Sequence, residues 1–138
     1  MADSLFTEDA LGETMSRKVA TGPFLVEEDA VIEHFDWGRL IWYASAGIGN
    51  AGEMTLGRCI LKPGHENPRH IHPNCEEILQ VISGQILHTL GDNSFEMGPG
   101  DTICIPQDLV HNARNVGDEE AVLLIAFSSA MRQTQGEV

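Results

Sequence analysis

From Phe24 onward, apolar and polar residues alternate in short runs separated by clusters of glycine, proline, asparagine and aspartate. The runs are VIEHFDW (31–37), RLIWYAS (39–45), MTLGRCIL (54–61), EEILQVIS (76–83), QILHTL (85–90), DTICIP (101–106), LVHNARN (109–115) and AVLLIAF (121–127). Successive side chains of an extended segment point to opposite faces, so runs of this kind build sheets buried on one side. Between them lie AGIGNAG, KPGHENP, GDNS, MGPGD and NVGDEE, whose residues favour turns. Many short strands punctuated in this way predict an all-β sandwich or barrel. No run between 22 and 127 keeps a helical period over 11 residues. LGDNSF (90–95) predicts a tight hairpin, since Asp92 and Asn93 tolerate positive φ.

Residues 1–21 are polar and acidic, with Leu5, Phe6, Leu11 and Met15 at loosely helical spacing. They read as a flexible arm or short helix able to dock on a partner subunit. Residues 22–138 read as a single domain, because the chain shows one apolar region, no linker, and a polar tail after Phe127. At 138 residues it is long enough for a sound core without disulfide or metal staples.

Charge narrows the partners. Eight basic residues against 21 acidic ones give a net charge of −13, the wrong sign for nucleic acid or an anionic membrane surface. The three cysteines, Cys59, Cys75 and Cys104, form no CxxC and cannot all pair, so they read as reduced thiols. The first 20 residues lack a basic region followed by an apolar run, and no stretch approaches the roughly 18–20 apolar residues of a membrane span. The expectation is a cytoplasmic protein.

GHENPRHIHPNCEEILQVISG (64–84) carries the candidate chemistry. His70 and His72 lie one residue apart, which in a strand over 69–73 puts both on one face. If PNCE then turns the chain back, Glu77 opens the next strand facing the same way. Two imidazoles and a carboxylate from neighbouring strands form a mixed nitrogen–oxygen donor set suited to Fe, Mn, Zn, Ni or Cu. His111, following a turn and opening another run, is the best candidate for a further ligand. The bland alternative for all four is a polar, solvent-facing strand.

These residues resemble the two motifs of the cupin family. The first, G-x5-H-x-H-x(3,4)-E-x6-G, fits Gly64, His70, His72, Glu77 and Gly84; Glu76 fits the shorter spacer but lies one residue too far from Gly84. The second, G-x5-P-x-G-x2-H-x3-N, fits Gly100, Pro106, His111 and Asn115, with Asp108 where the motif has its second glycine. Nine of ten positions match in order, and the resemblance covers roughly residues 38–127. It implies a double-stranded β-helix (a jelly-roll barrel) holding one divalent transition metal through His70, His72, Glu77 and His111. Asp108 bears on the turn alone, since aspartate also reaches the left-handed region.

The remaining candidates are weaker. Leu79 and Val81 share the parity of Glu77 and should line the barrel beyond the metal; Arg58 and Cys59 are polar candidates on the preceding strand. Cys75 could compete as a soft ligand, but a loop thiol is the better reading. His65 reads as a surface histidine, and His34 and His88 as structural or exposed. Trp37, Trp42 and Tyr43 read as core or subunit contacts. Several cupin enzymes place a tyrosine acid or base two residues after the glutamate, where this chain has Leu79. The expected function is metalloenzyme chemistry on a small molecule, either dioxygenase-type or carbonyl/enediol isomerase or lyase. The alternative is a non-catalytic small-ligand binding or sensing module. A homodimer is also expected, from strand edges that small barrels cover and from the aromatic-rich FDWGRLIWYAS.

Overall fold

Among the described residues, eleven strands account for the alternating runs: β1 (Val31–Phe35), β2 (Gly38–Ala44), β3 (Thr55–Leu61), β4 (His70–Ile71), β5 (Glu77–Ser83), β6 (Ile86–Leu90), β7 (Asn93–Met97), β8 (Thr102–Ile105), β9 (His111–Asn115), β10 (Ala121–Phe127) and β11 (Gln135–Gly136). The computed structural model describes residues 22–137, so the expected arm over 1–21 lies outside the described residues. Helical geometry among them is limited to a 3-10 turn over Glu27–Asp29, and no helix there is long and apolar enough to cross a membrane.

The strands form two antiparallel sheets, ordered β1-β2-β3-β10-β5-β8 and β11-β4-β9-β6-β7. This is the double-sheet jelly roll, whose sheets bury their facing surfaces against each other. The expected barrel is not closed: no hydrogen-bonded ladder joins the two sheets among the described residues, and the structure is a sandwich with open edges. The sequence reading missed β11 because a two-residue strand in a polar tail has no alternation to detect. The predicted strand over 69–73 shrinks to His70–Ile71, leaving His72 in the connection that follows.

Alternation sets the core. In β10, Ala121, Leu123, Ile125 and Phe127 point inward and are buried, while Val122, Leu124 and Ala126 face out. Leu79 and Val81 of β5 and Ile105 of β8 join the same cluster. The outer face of the larger sheet is also apolar: Ile32, Leu56, Ile78 and Ile82 are each 38–45% exposed.

Two backbone positions hold the site in place. Asp108 has φ 68°, confirming that aspartate takes the left-handed turn where the motif has glycine, and its N–H donates to the His72 carbonyl at 3.1 Å. Gly57 of β3 faces Trp42 of β2, and the wholly buried indole lies directly over it. A Cβ at Gly57 would stand 2.5 Å from Trp42 Cε3 and 2.7 Å from the Ile41 carbonyl oxygen. Gly57→Ala must therefore displace the indole or part the two strands. It is expected to lower stability by about 1–3 kcal/mol, read from urea unfolding followed by tryptophan fluorescence.

Candidate metal centre

His70, His72, Glu77 and His111 converge: one donor atom from each lies within 4.8 Å of the others. His70 and His111 are direct cross-strand partners on β4 and β9, and their rings stand 4.3 Å apart, centroid to centroid. Glu77 opens β5 in the opposite sheet, and His72 sits in the connection that carries the chain across. The spacing predicts these residues on neighbouring strands; they come instead from two facing sheets. The loop after His72 crosses the sandwich rather than turning back within one layer.

Each imidazole is fixed through Nδ1. His70 Nδ1 lies 2.7 Å from the Pro68 carbonyl oxygen, His111 Nδ1 2.9 Å from that of Leu109, and His72 Nδ1 2.9 Å from that of Gln133. A carbonyl oxygen only accepts, so all three Nδ1 atoms carry protons and donate them. The lone pairs are thereby left on Nε2. Two of these nitrogens, on His72 and His111, lie 3.1 Å from the same oxygen, Glu77 Oε1. His72 Nε2 is buried and makes no hydrogen bond.

Acceptors thus face acceptors, and a positive charge must stand among them. A divalent metal fits this donor set of imidazole nitrogens and one carboxylate oxygen. Their Nδ1–H bonds are the outer-shell contacts that orient histidine ligands. In a metal-free chain a proton takes that part. Burial pushes the Glu77 carboxyl up, but the His111 and His72 imidazoles beside it overcome this and hold it well below the usual carboxylate range. Burial likewise pulls His111 down, yet Glu77 raises it above the ordinary histidine value. His70 goes the other way, to about 3, through burial and the neighbouring His111 and His72.

A cavity of about 150 Å³ adjoins the cluster. Cys59 and Leu79 line it; Val81 is buried in the core outside its wall, and Arg58 turns outward with its guanidinium 5.6 Å from the Tyr43 ring centroid. Strand parity separates the two faces of Arg58 and Cys59, but not core from cavity along the inner face. Burial, then Glu77, pushes the Cys59 thiol up, so it stays protonated. Cys75 is buried outside the cluster, its thiol raised to about 11 chiefly by burial, and His65 lies exposed with Nδ1 on the Pro63 carbonyl.

Several cavity residues escaped the sequence reading. Trp37 and Trp42 belong to the core, as expected, and also form part of the cavity wall. His88, expected to be structural or exposed, is wholly buried in that wall, with its ring parallel to His111 at 5.9 Å. Burial and His111 lower its pKa to about 4. From the tail, buried Arg132 lies over Trp42 at 4.2 Å and donates to Thr134 Oγ1 at 2.7 Å; Thr134 Oγ1 in turn lies 3.1 Å from His72 Nδ1. Only the alternation of QILHTL, which puts His88 and Ile86 on one face, hinted at any of this.

A family model described as "Cupin domain" matches residues 57–127, just over half of the chain. Among curated proteins, germin-like protein 3-8 of Oryza sativa subsp. japonica is 36% identical over 90 residues, covering 62% of this chain and 40% of that protein. Among solved structures, oxalate oxidase in complex with glycolate is 29% identical with a TM-score of 0.63, covering 70% of this chain and 53% of that one. The Lactobacillus farciminis oxalate decarboxylase formate complex superposes with a TM-score of 0.73 at 22% identity, covering 79% of this chain and 34% of that one. The chain thus spans about half or less of each of these proteins.

The proton shared by Glu77 and His111 predicts a stability window for metal-free protein. Glu77, with a lowered pKa, contributes above its unfolded value of 4.5 and loses that contribution as pH falls through the folded value. His111, with a raised pKa, contributes fully below its unfolded value of 6.5 and loses it as pH rises through the folded value. Both contributions are complete between those two values. In chelator-treated protein, urea unfolding should therefore show a larger gap between wild type and Glu77→Gln at about pH 5.5 than at about pH 8.5. An equal gap at both would contradict the pairing.

Proposed function

The chain belongs to the cupin domain family, and on that premise we propose that His70, His72, Glu77 and His111 hold one divalent transition metal at which a small organic molecule is bound and transformed. The observation that carries this is the shared commitment of three Nδ1–H groups to backbone carbonyls, which leaves the Nε2 atoms as the donors gathered with one carboxylate. When bound, such a metal acts as a Lewis acid toward a carbonyl or enediol, or gathers O₂ and substrate in one place. The donor set suits Fe, Mn, Zn, Ni or Cu and leaves coordination positions for substrate.

The chain's own residues supply shape, orientation and dryness. The aromatic and aliphatic wall excludes water from the side of the cluster facing the cavity, which strengthens polar contacts made there. Relatives named for oxalate oxidase and oxalate decarboxylase support chemistry on a small oxygen-bearing molecule. The second reading is a non-catalytic binding or sensing module. It is favoured by Leu79 in the cavity wall and by the protonated Cys59 thiol, neither of which moves protons near neutral pH.

Metal analysis of protein purified without added metal tests the reading directly. His72→Ala and His111→Ala should each weaken metal binding at least about 100-fold, more than loss of an outer-shell contact does. Both variants should remain folded, because the core does not depend on the metal. Metal-loaded protein that binds small ligands but turns none over would favour the binding module.

We further propose a homodimer through the outer face of the larger sheet. The aromatic residues expected to supply the contact, Trp37 and Trp42, turn inward; Ile32, Leu56, Ile78 and Ile82 provide the exposed apolar surface instead. Light scattering should return about twice the 15.1 kDa chain mass, and Ile78→Lys should return the chain mass.

A further inference from the structure

His88 is a polar group in the cavity wall that the metal reading does not use. It is wholly buried, and neither ring nitrogen has a hydrogen-bond partner. An imidazole carries at least one N–H in any charge state, and a buried donor left unmade costs about 1–3 kcal/mol. An apolar residue on the same face of β6 would remove that cost, as Ile86 shows two positions earlier. The strands around His88 leave its nitrogens unanswered. The cavity is the space in which an answering group can stand.

The rest of the wall limits what that group belongs to. Phe35, Trp37, Leu40, Leu123 and Ile125 make it aromatic and aliphatic. The Arg132 guanidinium, also in the wall, is laid over Trp42 and Phe127 and bonded to Thr134. An apolar protein cavity of about 150 Å³ takes up a molecule the size of benzene. We propose that His88 is the hydrogen-bonding contact for a ligand held beside the His/Glu cluster, and that this ligand is a compact, mainly apolar molecule bearing oxygen, of the size of one substituted ring. This deepens the metalloenzyme reading and rests on it for the position of the reacting oxygen, but the cavity contact stands on its own.

Phenol and toluene are matched probes, equal in heavy atoms and differing in a hydroxyl; glycolate represents a small, wholly polar acid. Metal-loaded, full-length protein should bind phenol about tenfold more tightly than toluene, the effect of one hydrogen bond. His88→Phe should abolish that preference while leaving toluene affinity and metal content unchanged, and His88→Asn should restore part of it. Phenol should also move the ¹⁵N resonances of the His88 ring. Equal binding of the two rings by wild type, a preference that survives in both His88→Phe and His88→Leu, or glycolate binding more tightly than either ring would overturn the proposal. Metal analysis of the same samples separates the two readings. Protein that holds no metal yet shows the His88-dependent preference refutes the metal reading alone. Protein that holds metal and ignores both rings refutes this one alone.

Discussion

Three hydrogen bonds from imidazole Nδ1–H to backbone carbonyls decide what this molecule can do. Each costs the fold little, since a peptide oxygen has a spare lone pair, but each fixes a tautomer and a ring direction. Two are local: His70 and His111 each donate to the carbonyl two residues earlier, on Pro68 and Leu109. The third is not. His72 follows the end of β4, and its carbonyl comes from Gln133, 61 residues on. The C-terminal segment is thus part of the site, held by β11 pairing with β4 and by Asn74, which binds the Met131 carbonyl and the Gln133 amide.

The same tail carries Arg132 and Thr134 into the interior. A guanidinium at 1% exposure would be an expensive choice for a core. Here its plane lies over Trp42 and Phe127, and its Nη1 proton goes to the hydroxyl that also approaches His72 Nδ1. Tail, aromatic wall and His72 tautomer therefore form one connected arrangement. Gly57 belongs to it as well, since it admits the indole on which the guanidinium rests.

The strands were legible because alternation is a strong signal wherever one face is buried, as in AVLLIAF and EEILQVIS. The four clustered residues were legible because their spacing repeats a motif whose turns need the conformations of Gly64, Gly84, Gly100 and Asp108, all observed at positive φ. His88 was not legible: parity placed it on the inner face but gave no sign that the inner face opens into a cavity. The tail failed for a different reason. Its contribution at Gln133 is a carbonyl, which every residue has, so side-chain chemistry gave no warning. The neighbouring-strand picture of the four clustered residues failed because spacing measures distance along the chain and not which layer the chain enters.

That layer change has a mechanical meaning. His70 and His111 are anchored in one sheet and Glu77 in the other, so the spacing of the two sheets sets how closely their side chains approach. The cluster acts as a caliper on the core. Any side chain that wedges the sheets apart or lets them settle, even far from the histidines, resets the aperture offered to an ion. Packing residues such as Leu79, Leu123 and Ile125, which fill the space between the sheets, therefore bear on the geometry of the cluster without belonging to it.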